Sequence, residues 1–137
     1  MRNKITMQRE TTISLRESLY REVTAIVEYE YGDEITLDEL AHRVASSRRQ
    51  LQRAFAEVGK TTFRQYLTGV RMERAAEMLI GSDLTVREVA HRVGYRQPAQ
   101  FAKAFRRHHG LVPSDYRVSG RSLDARDELP LPVALAA

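Results

Sequence analysis

The sequence predicts an all-α fold in which two similar pairs of short helices flank one long helix. The first observation is a duplication: residues 36–44 read TLDELAHRV, residues 85–93 read TVREVAHRV, and six of the nine positions are identical. The second is that four segments begin with a helix-capping pattern. The third is that no segment alternates apolar and polar residues as a half-buried strand would.

The likeness between the two copies continues downstream. Leu51 matches Phe101, residues 53–55 match residues 103–105, and Tyr66 matches Tyr116, with an offset of 49 residues at first and 50 afterwards. Two copies are too few for a stacked solenoid. Two similar helical surfaces on one chain instead suit a ligand that repeats along its length, such as DNA.

The first lobe is predicted at residues 14–67, after a flexible N-terminus at residues 1–13. Residues 37–44 and 48–58 are expected to form its helical pair. The opening helix, residues 14–31, carries apolar residues whose helical spacing would place them on one buried face: Leu15, Leu19, Val23, Ile26 and Val27.

The second half begins with a linker helix at residues 63–80. The second lobe, residues 82–117, contains helices at residues 86–93 and 98–109, with Gly94 in the turn and Pro98 at the first helical position. A short helix opens at Pro113. The tail, residues 118–137, lacks periodicity and is predicted to be disordered.

A Thr or Ser followed three residues later by Glu or Gln marks each of four helix starts, because the hydroxyl can accept a hydrogen bond from a first-turn amide. The four pairs are Thr36 with Glu39, Ser47 with Gln50, Thr62 with Gln65, and Thr85 with Glu88.

Composition excludes several classes of protein. The chain has no Cys, which rules out a disulfide framework or a thiolate metal site. It shows no secretory signal and no apolar run long enough to span a bilayer, so we expect a cytoplasmic protein. Residues 36–117 hold 15 Lys and Arg against 8 Asp and Glu, whereas the flanking segments are slightly acidic. The positive charge therefore lies on the duplicated segment, as expected if it faces phosphate.

A short helix, a turn and a second helix form a helix-turn-helix unit, whose second helix lies in the DNA major groove. In the first copy, Arg49, Gln52 and Arg53 fall within an arc of about 100°, opposite the apolar stripe. Arg can contact guanine and Gln adenine through two hydrogen bonds each. We expect these three side chains to read bases and Arg48, on the flank, to contact phosphate.

The second recognition helix is chemically poorer. Its buried stripe is expected to include Phe101, Phe105 and His108, which leaves Ala99, Ala102 and Lys103 facing outward. Ala99 and Lys103 are candidate base contacts, although a methyl group can only touch a base. The flanking residues are candidates for phosphate contact: Arg96, Gln97, Gln100 and Arg106.

The residues resemble the DNA-binding domain of the AraC/XylS family of bacterial transcription regulators, over roughly residues 17–117. The positions that carry the resemblance include Ala41, Ser47, Leu51, Gln52, Arg53, Phe55, Gly59, Tyr66, Leu67, Arg71, Ala75, Leu79, Thr85, Val89, Ala90, Val93, Gly94, Tyr95, Phe101, Phe105, Gly110 and residues 113–117.

The resemblance implies a DNA-binding regulator, typically an activator that also contacts RNA polymerase, which inserts two recognition helices into successive major grooves as a monomer. Only about 35 residues precede the first helix-turn-helix pair, so the implied type is the short, stand-alone one similar to MarA and SoxS. No cofactor or small-molecule ligand is implied. Ala45 departs from the family, which frequently has Gly in this turn, and is less favourable if the position needs φ > 0.

Other functions stay open. An enzyme is disfavoured because no set of nucleophile, base and orienting residue is apparent. A metal site is disfavoured because His42 and His91 are repeat equivalents, whereas His108 and His109 should point to different helix faces. The acidic residues 28–34 allow a protein-interaction module instead. The chain is also compatible with the DNA-binding part of an effector-gated or partner-recruited regulator whose sensing domain lies elsewhere.

Overall fold

The computed structural model describes residues 2–128 of the chain and the side chains of residues 11–122. Within these residues the chain forms helices and no strand, which confirms the all-α prediction. The seven helices are α1 (Arg2–Glu30), α2 (Leu37–Arg43), α3 (Arg48–Glu57), α4 (Phe63–Gly81), α5 (Val86–Arg92), α6 (Pro98–His109) and α7 (Pro113–Glu128).

The start of α1 corrects the sequence prediction. Helix α1 begins at Arg2, although residues 1–13 were expected to form a flexible terminus and the helix to start at Ser14. Residues 2–13 contain neither Gly nor Pro and include good helix formers, so backbone propensity extends the helix beyond its apolar face. Leu15, predicted to be buried, is 65% exposed. Apolar periodicity therefore locates the buried part of this helix and not its beginning.

The end of α7 differs as well. The predicted tail began at residue 118, but α7 continues to Glu128. The Nε atom of Arg117 donates a hydrogen bond to the Leu79 carbonyl at 2.8 Å, and Nη2 of Arg121 donates to the Ser82 carbonyl at 2.6 Å. These contacts with the C-terminal end of α4 hold α7 beyond the predicted boundary. Residues 129–137 of the predicted tail lie outside the described part of the chain.

The chain divides into two compact units, with the boundary inside α4 after Val70. In the first unit, α3 packs against α1 and α2. Tyr20 of α1 makes an edge-on contact with Phe55 of α3, with ring centroids 5.3 Å apart. The core of this unit consists of Val23, Val27, Ile35, Leu40, Ala41, Leu51 and Phe55.

The second unit begins at Arg71, and in it α6 packs against α5 and α7. Met72 and Ala76 of α4 are buried. The other buried hydrophobic residues of this unit are Ala75, Leu79, Val89, Ala90, Val93, Phe101 and Phe105. Across the described residues, no helix is both long enough and apolar enough to cross a membrane.

Candidate nucleic-acid interface

The turn between α2 and α3 has a backbone geometry that ends α2 sharply. The N–H of Ala45 donates to the His42 carbonyl at 3.2 Å, and the N–H of Ser46 donates to the Ala41 carbonyl at 2.8 Å. This pair of bonds is the Schellman motif, which places one residue in the left-handed region. Ala45 holds that position with φ 53°, so the expected conflict between Ala and a positive φ is present.

The turn between α5 and α6 repeats this geometry. The N–H of Gly94 donates to the His91 carbonyl at 3.1 Å, and the N–H of Tyr95 donates to the Ala90 carbonyl at 2.9 Å. Gly94 has φ 95°. The duplicated sequence therefore folds into two copies of one helix-turn-helix motif.

All four predicted capping hydroxyls are confirmed as acceptors from the amide three residues on, at 3.1 to 3.2 Å. One of them, Ser47, caps α3 by accepting from the N–H of Gln50. At the start of α6 the N-cap residue is Gln97, whose side chain makes no capping hydrogen bond, and Pro98 occupies the first turn. Of the two candidate recognition helices, α3 is therefore capped by a side chain and α6 is not.

Helix α3 separates its apolar and polar faces as predicted. Arg49, Gln52 and Arg53 are all exposed. The opposite stripe has no exposed surface and comprises Leu51, Ala54 and Phe55. The packing of this stripe against α1 and α2 fixes the rotation of the helix, so the three polar side chains face solvent together.

Arg48 lies at the first position of α3 and forms an ion pair with Asp38 of α2, with N and O 3.6 Å apart. The two side chains are 62% and 69% exposed. An exposed pair of this kind contributes only about 0–1 kcal/mol. The guanidinium group of Arg48 can therefore exchange this carboxylate for another anion at small cost.

On α6, Ala99 and Lys103 are exposed as predicted, whereas Ala102 is half-buried. Phe101 and Phe105 form the buried stripe. The predicted flanking residues are all exposed: Arg96, Gln97, Gln100 and Arg106.

The two histidines at the end of α6 correct the sequence prediction. His108 was placed in the buried stripe, but its side chain is 36% exposed and its Nε2 lies 2.9 Å from Oε1 of Glu73. His109 instead packs on Phe105 and Tyr116, with ring centroids 4.5 and 5.2 Å apart. One ligand atom from each of Glu73, His108 and His109 lies within 4.8 Å of the other two. The two histidines were expected on different helix faces, but their rings meet at the helix end with centroids 4.7 Å apart.

A shallow cleft in the second unit is lined by basic residues, of which Arg87 and Arg92 were not among the predicted DNA contacts. Arg87 and Arg92 of α5 line it, together with His91, Arg96 of the turn and Pro98 of α6. Their positive charge was visible in the sequence, but no motif indicated that α5 and the start of α6 share one concave surface. Glu88 and Tyr95 complete the lining.

Repeat-equivalent arginines have different surroundings. Arg43, the equivalent of Arg92, donates two hydrogen bonds to the carboxylate of Glu30 at 2.8 and 2.7 Å. The hydrogen bond from Arg43 lowers the pKa of Glu30, and the same bond raises the pKa of Arg43. Arg43 thus ties α2 to α1, whereas Arg92 lines the cleft described above.

Arg71 supports the turn of the second unit. Its guanidinium carbon lies 5.9 Å from the centre of the Tyr95 ring, within the range of a cation–π contact. Burial lowers the pKa of Arg71, and the neighbouring Tyr95 opposes that shift. A Cβ atom added to Gly94 would lie 2.8 Å from Nη2 of Arg71, so the guanidinium would have to shift, and the φ of 95° itself favours glycine.

Comparison with known sequences identifies the family. The sequence model of a helix-turn-helix domain family, the AraC-type, matches residues 40–119, which is more than half of the chain. The chain belongs to the AraC-type helix-turn-helix family. Domains of this kind are found in proteins named as transcriptional regulators, and one of them was solved bound to DNA.

Relatives within the AraC-type family are longer proteins. The HTH-type transcriptional regulator YijO of Escherichia coli is 31% identical over 106 residues, which cover 77% of this chain and 38% of YijO. The ornithine utilization regulator of Pseudomonas aeruginosa is 33% identical over 106 residues, which cover 77% of this chain and 31% of that protein. The chain thus spans less than two fifths of the length of either relative.

Solved AraC-type structures share the fold. The DNA-binding domain of AdpA, a global transcriptional factor solved in complex with a target DNA, is 33% identical and superposes with a TM-score of 0.71. That match covers 75% of this chain and 93% of the AdpA domain. The C-terminal domain of AraT, a response regulator from Geobacillus stearothermophilus, is 30% identical with a TM-score of 0.71 and covers 74% of this chain and 84% of its own.

Proposed function

We propose that the chain regulates transcription as a monomer that inserts α3 and α6 into successive major grooves of double-stranded DNA. The single observation that carries the proposal is the exposed set Arg49, Gln52 and Arg53 on the free face of a helix-turn-helix unit. The fold shared with the AdpA domain, which was solved with target DNA, supports the same use of this chain.

Base reading is assigned mainly to α3. Arg49 and Arg53 can each donate two hydrogen bonds to O6 and N7 of guanine, and Gln52 can pair with N6 and N7 of adenine. Arg48 would leave its exposed pair with Asp38 for a phosphate oxygen. A charge-assisted contact with phosphate fixes the register of the helix without selecting a sequence.

Helix α6 would contribute affinity with weaker sequence demands. Ala99 offers a methyl group, which can touch thymine but cannot pair with a donor or acceptor. Lys103 can reach a base or a phosphate. The exposed flanking residues would contact the backbone, and the basic cleft lined by Arg87 and Arg92 extends that phosphate-binding surface.

Salt dependence tests the backbone contacts. The logarithm of the association constant should fall by roughly 0.9 per neutralised phosphate for each tenfold rise in salt. Arg48→Ala and Arg96→Ala should each weaken binding to all sequences and make that slope less steep by about one contact. Arg21→Ala, at an exposed position on α1, is the matched control and should leave the slope unchanged. Affinity independent of salt would instead point to a protein partner.

Stoichiometry tests the monomer. Because both helix-turn-helix units are on one chain, one molecule should protect about two turns of DNA and prefer an asymmetric site. Analytical ultracentrifugation of the chain on a selected site should give a 1:1 complex. An obligate 2:1 complex on a perfect inverted repeat would contradict this arrangement.

Activation through RNA polymerase is the regulatory role we infer. The end of α1 is acidic, and Tyr29 is 88% exposed between Glu28 and Glu30. Such a residue suits a contact with a protein partner better than one with phosphate. In transcription with purified polymerase, Tyr29→Ala should reduce activation while leaving DNA affinity unchanged.

A second candidate is a regulator gated by an effector or a partner. The observation that favours it is the greater length of the relatives, of which this chain spans 38% and 31%. If gating operates, DNA affinity of the isolated chain should exceed that of the chain in its cellular assembly. If the chain acts alone, the occupancy of its DNA site should depend only on the concentration of the chain, both in vitro and in the cell.

A further inference from the structure

A cluster of two histidines and one carboxylate lies on the second unit, and none of its three residues is proposed to contact DNA. Glu73 belongs to α4, whereas His108 and His109 are the last two residues of α6. One ligand atom from each lies within 4.8 Å of the others. Two imidazoles and a carboxylate are a ligand set that zinc uses in proteins, with water in the fourth position.

The surroundings of His109 orient its ring. Its Nε2 lies 3.0 Å from the carbonyl oxygen of Met72, a distance at which the ring N–H donates. That hydrogen bond leaves the lone pair on Nδ1. Metal-binding histidines typically donate their other N–H to a carbonyl or carboxylate in this way, which fixes the tautomer and the ring orientation. Contacts with the tilted rings of Phe105 and Tyr116 restrain the ring further.

The distances between the three ligand atoms are close to those around a bound zinc ion, but they are not identical to them. Tetrahedral zinc with bonds of about 2.0–2.1 Å holds its ligand atoms about 3.3 Å apart. His108 and Glu73 are 2.9 Å apart and would separate slightly, while the widest spacing of up to 4.8 Å would have to close. Both of these side chains are exposed, so rotamer changes can accomplish the adjustment.

We propose that Glu73, His108 and His109 form a binding site for a divalent transition metal of the zinc class. The ion would replace the hydrogen bond between His108 and Glu73 and join the last turn of α6 to α4. Arg106 and Arg107, which precede the histidines, disfavour a dication nearby, so we expect affinity in the micromolar range rather than that of a closed structural site.

The experiment uses the full chain without an affinity tag, freed of metal with a chelator and dialysed. Calorimetric titration with Zn²⁺ should give one site per chain, and Co²⁺ should develop the visible absorption bands of tetrahedral coordination. The melting temperature should rise by several degrees with excess Zn²⁺, because an ion that binds only the folded state stabilises it.

Variants identify the ligands. Glu73→Gln and His108→Gln change exposed side chains, and each should weaken Zn²⁺ binding at least tenfold and abolish the Co²⁺ bands. His42→Gln and His91→Gln change exposed histidines elsewhere and are the matched controls, which should bind as the parent does. The proposal is overturned if the parent chain binds no Zn²⁺, or if the control variants and not the cluster variants lose it. DNA is absent throughout, so the result is independent of the proposed regulatory function.

Discussion

Ala45 and Gly94 hold equivalent positions in the two helix-turn-helix turns, and both have a positive φ, 53° and 95° respectively. Each donates its N–H to a histidine carbonyl three residues earlier, His42 or His91. The backbone requirement is therefore the same in both copies, but only the second copy satisfies it with glycine. The first turn consequently carries local strain.

Ala45→Gly should stabilise the first unit. Removing an L-residue from the left-handed region relieves about 1–2 kcal/mol of strain. The greater conformational freedom of glycine in the unfolded chain offsets roughly 0.4–1 kcal/mol of this stabilisation. We expect the free energy of unfolding in urea to rise by about 0.5–1 kcal/mol. Ala25→Gly, at an exposed position inside α1, should instead lower it by about 1 kcal/mol. Equal effects of the two substitutions would refute the strain at Ala45.

Gly94→Ala should destabilise the second unit by about 1–3 kcal/mol, because Ala is strained at a φ of 95° and the Arg71 guanidinium would also have to shift. Gly110 separates the two causes: its φ is 84°, and an added Cβ would meet no atom within 4 Å. Gly110→Ala should therefore cost less than Gly94→Ala in the same urea titration. If the two variants lose the same stability, the contact with Arg71 contributes nothing.

Alkaline pH should weaken the first unit through Tyr66. Burial, followed by the neighbouring Glu28 carboxylate, raises the pKa of Tyr66 from 10.0 to about 12. Because the pKa is higher in the folded than in the unfolded chain, the contribution of Tyr66 to the free energy of unfolding is fully present below pH 10. It is lost as the pH rises through about 12. Between these values the free energy of unfolding should fall more steeply for the parent chain than for Tyr66→Phe. Parallel pH profiles of the two proteins, measured by urea denaturation, would contradict the shifted pKa.

The sequence predicted those parts of the fold that rest on local signals. The hydroxyls of Thr36, Ser47, Thr62 and Thr85 are close in the chain to the amides they cap, so the pattern alone located these helix starts. The predicted start of α1 and the predicted end of α7 were wrong, because neither boundary is set by a local capping or apolar pattern. Helix propensity extends α1 to Arg2, and contacts with the end of α4 carry α7 past its predicted stop.

The candidate interface was predictable on α3, where Leu51 and Phe55 fix the helix rotation by simple periodicity. The contact between His108 and His109 was not predictable in this way, because the angular position of a residue on a helix does not fix the side-chain rotamers at its last turn. The basic cleft escaped prediction for a related reason. Its lining comes from α5, the turn and α6, and their shared concave surface exists only after packing.

The central claim is that α3 reads bases and α6 mainly adds affinity. Binding of Arg53→Ala and Lys103→Ala to a panel of single-base variants of one selected site tests it most directly. A contact through two hydrogen bonds discriminates between bases by roughly 1–3 kcal/mol. Arg53→Ala should therefore weaken binding and relax base preference within one half of the site, whereas Lys103→Ala should weaken binding with the preferences intact. Loss of a sharp preference in Lys103→Ala, with the pattern preserved in Arg53→Ala, would contradict the account.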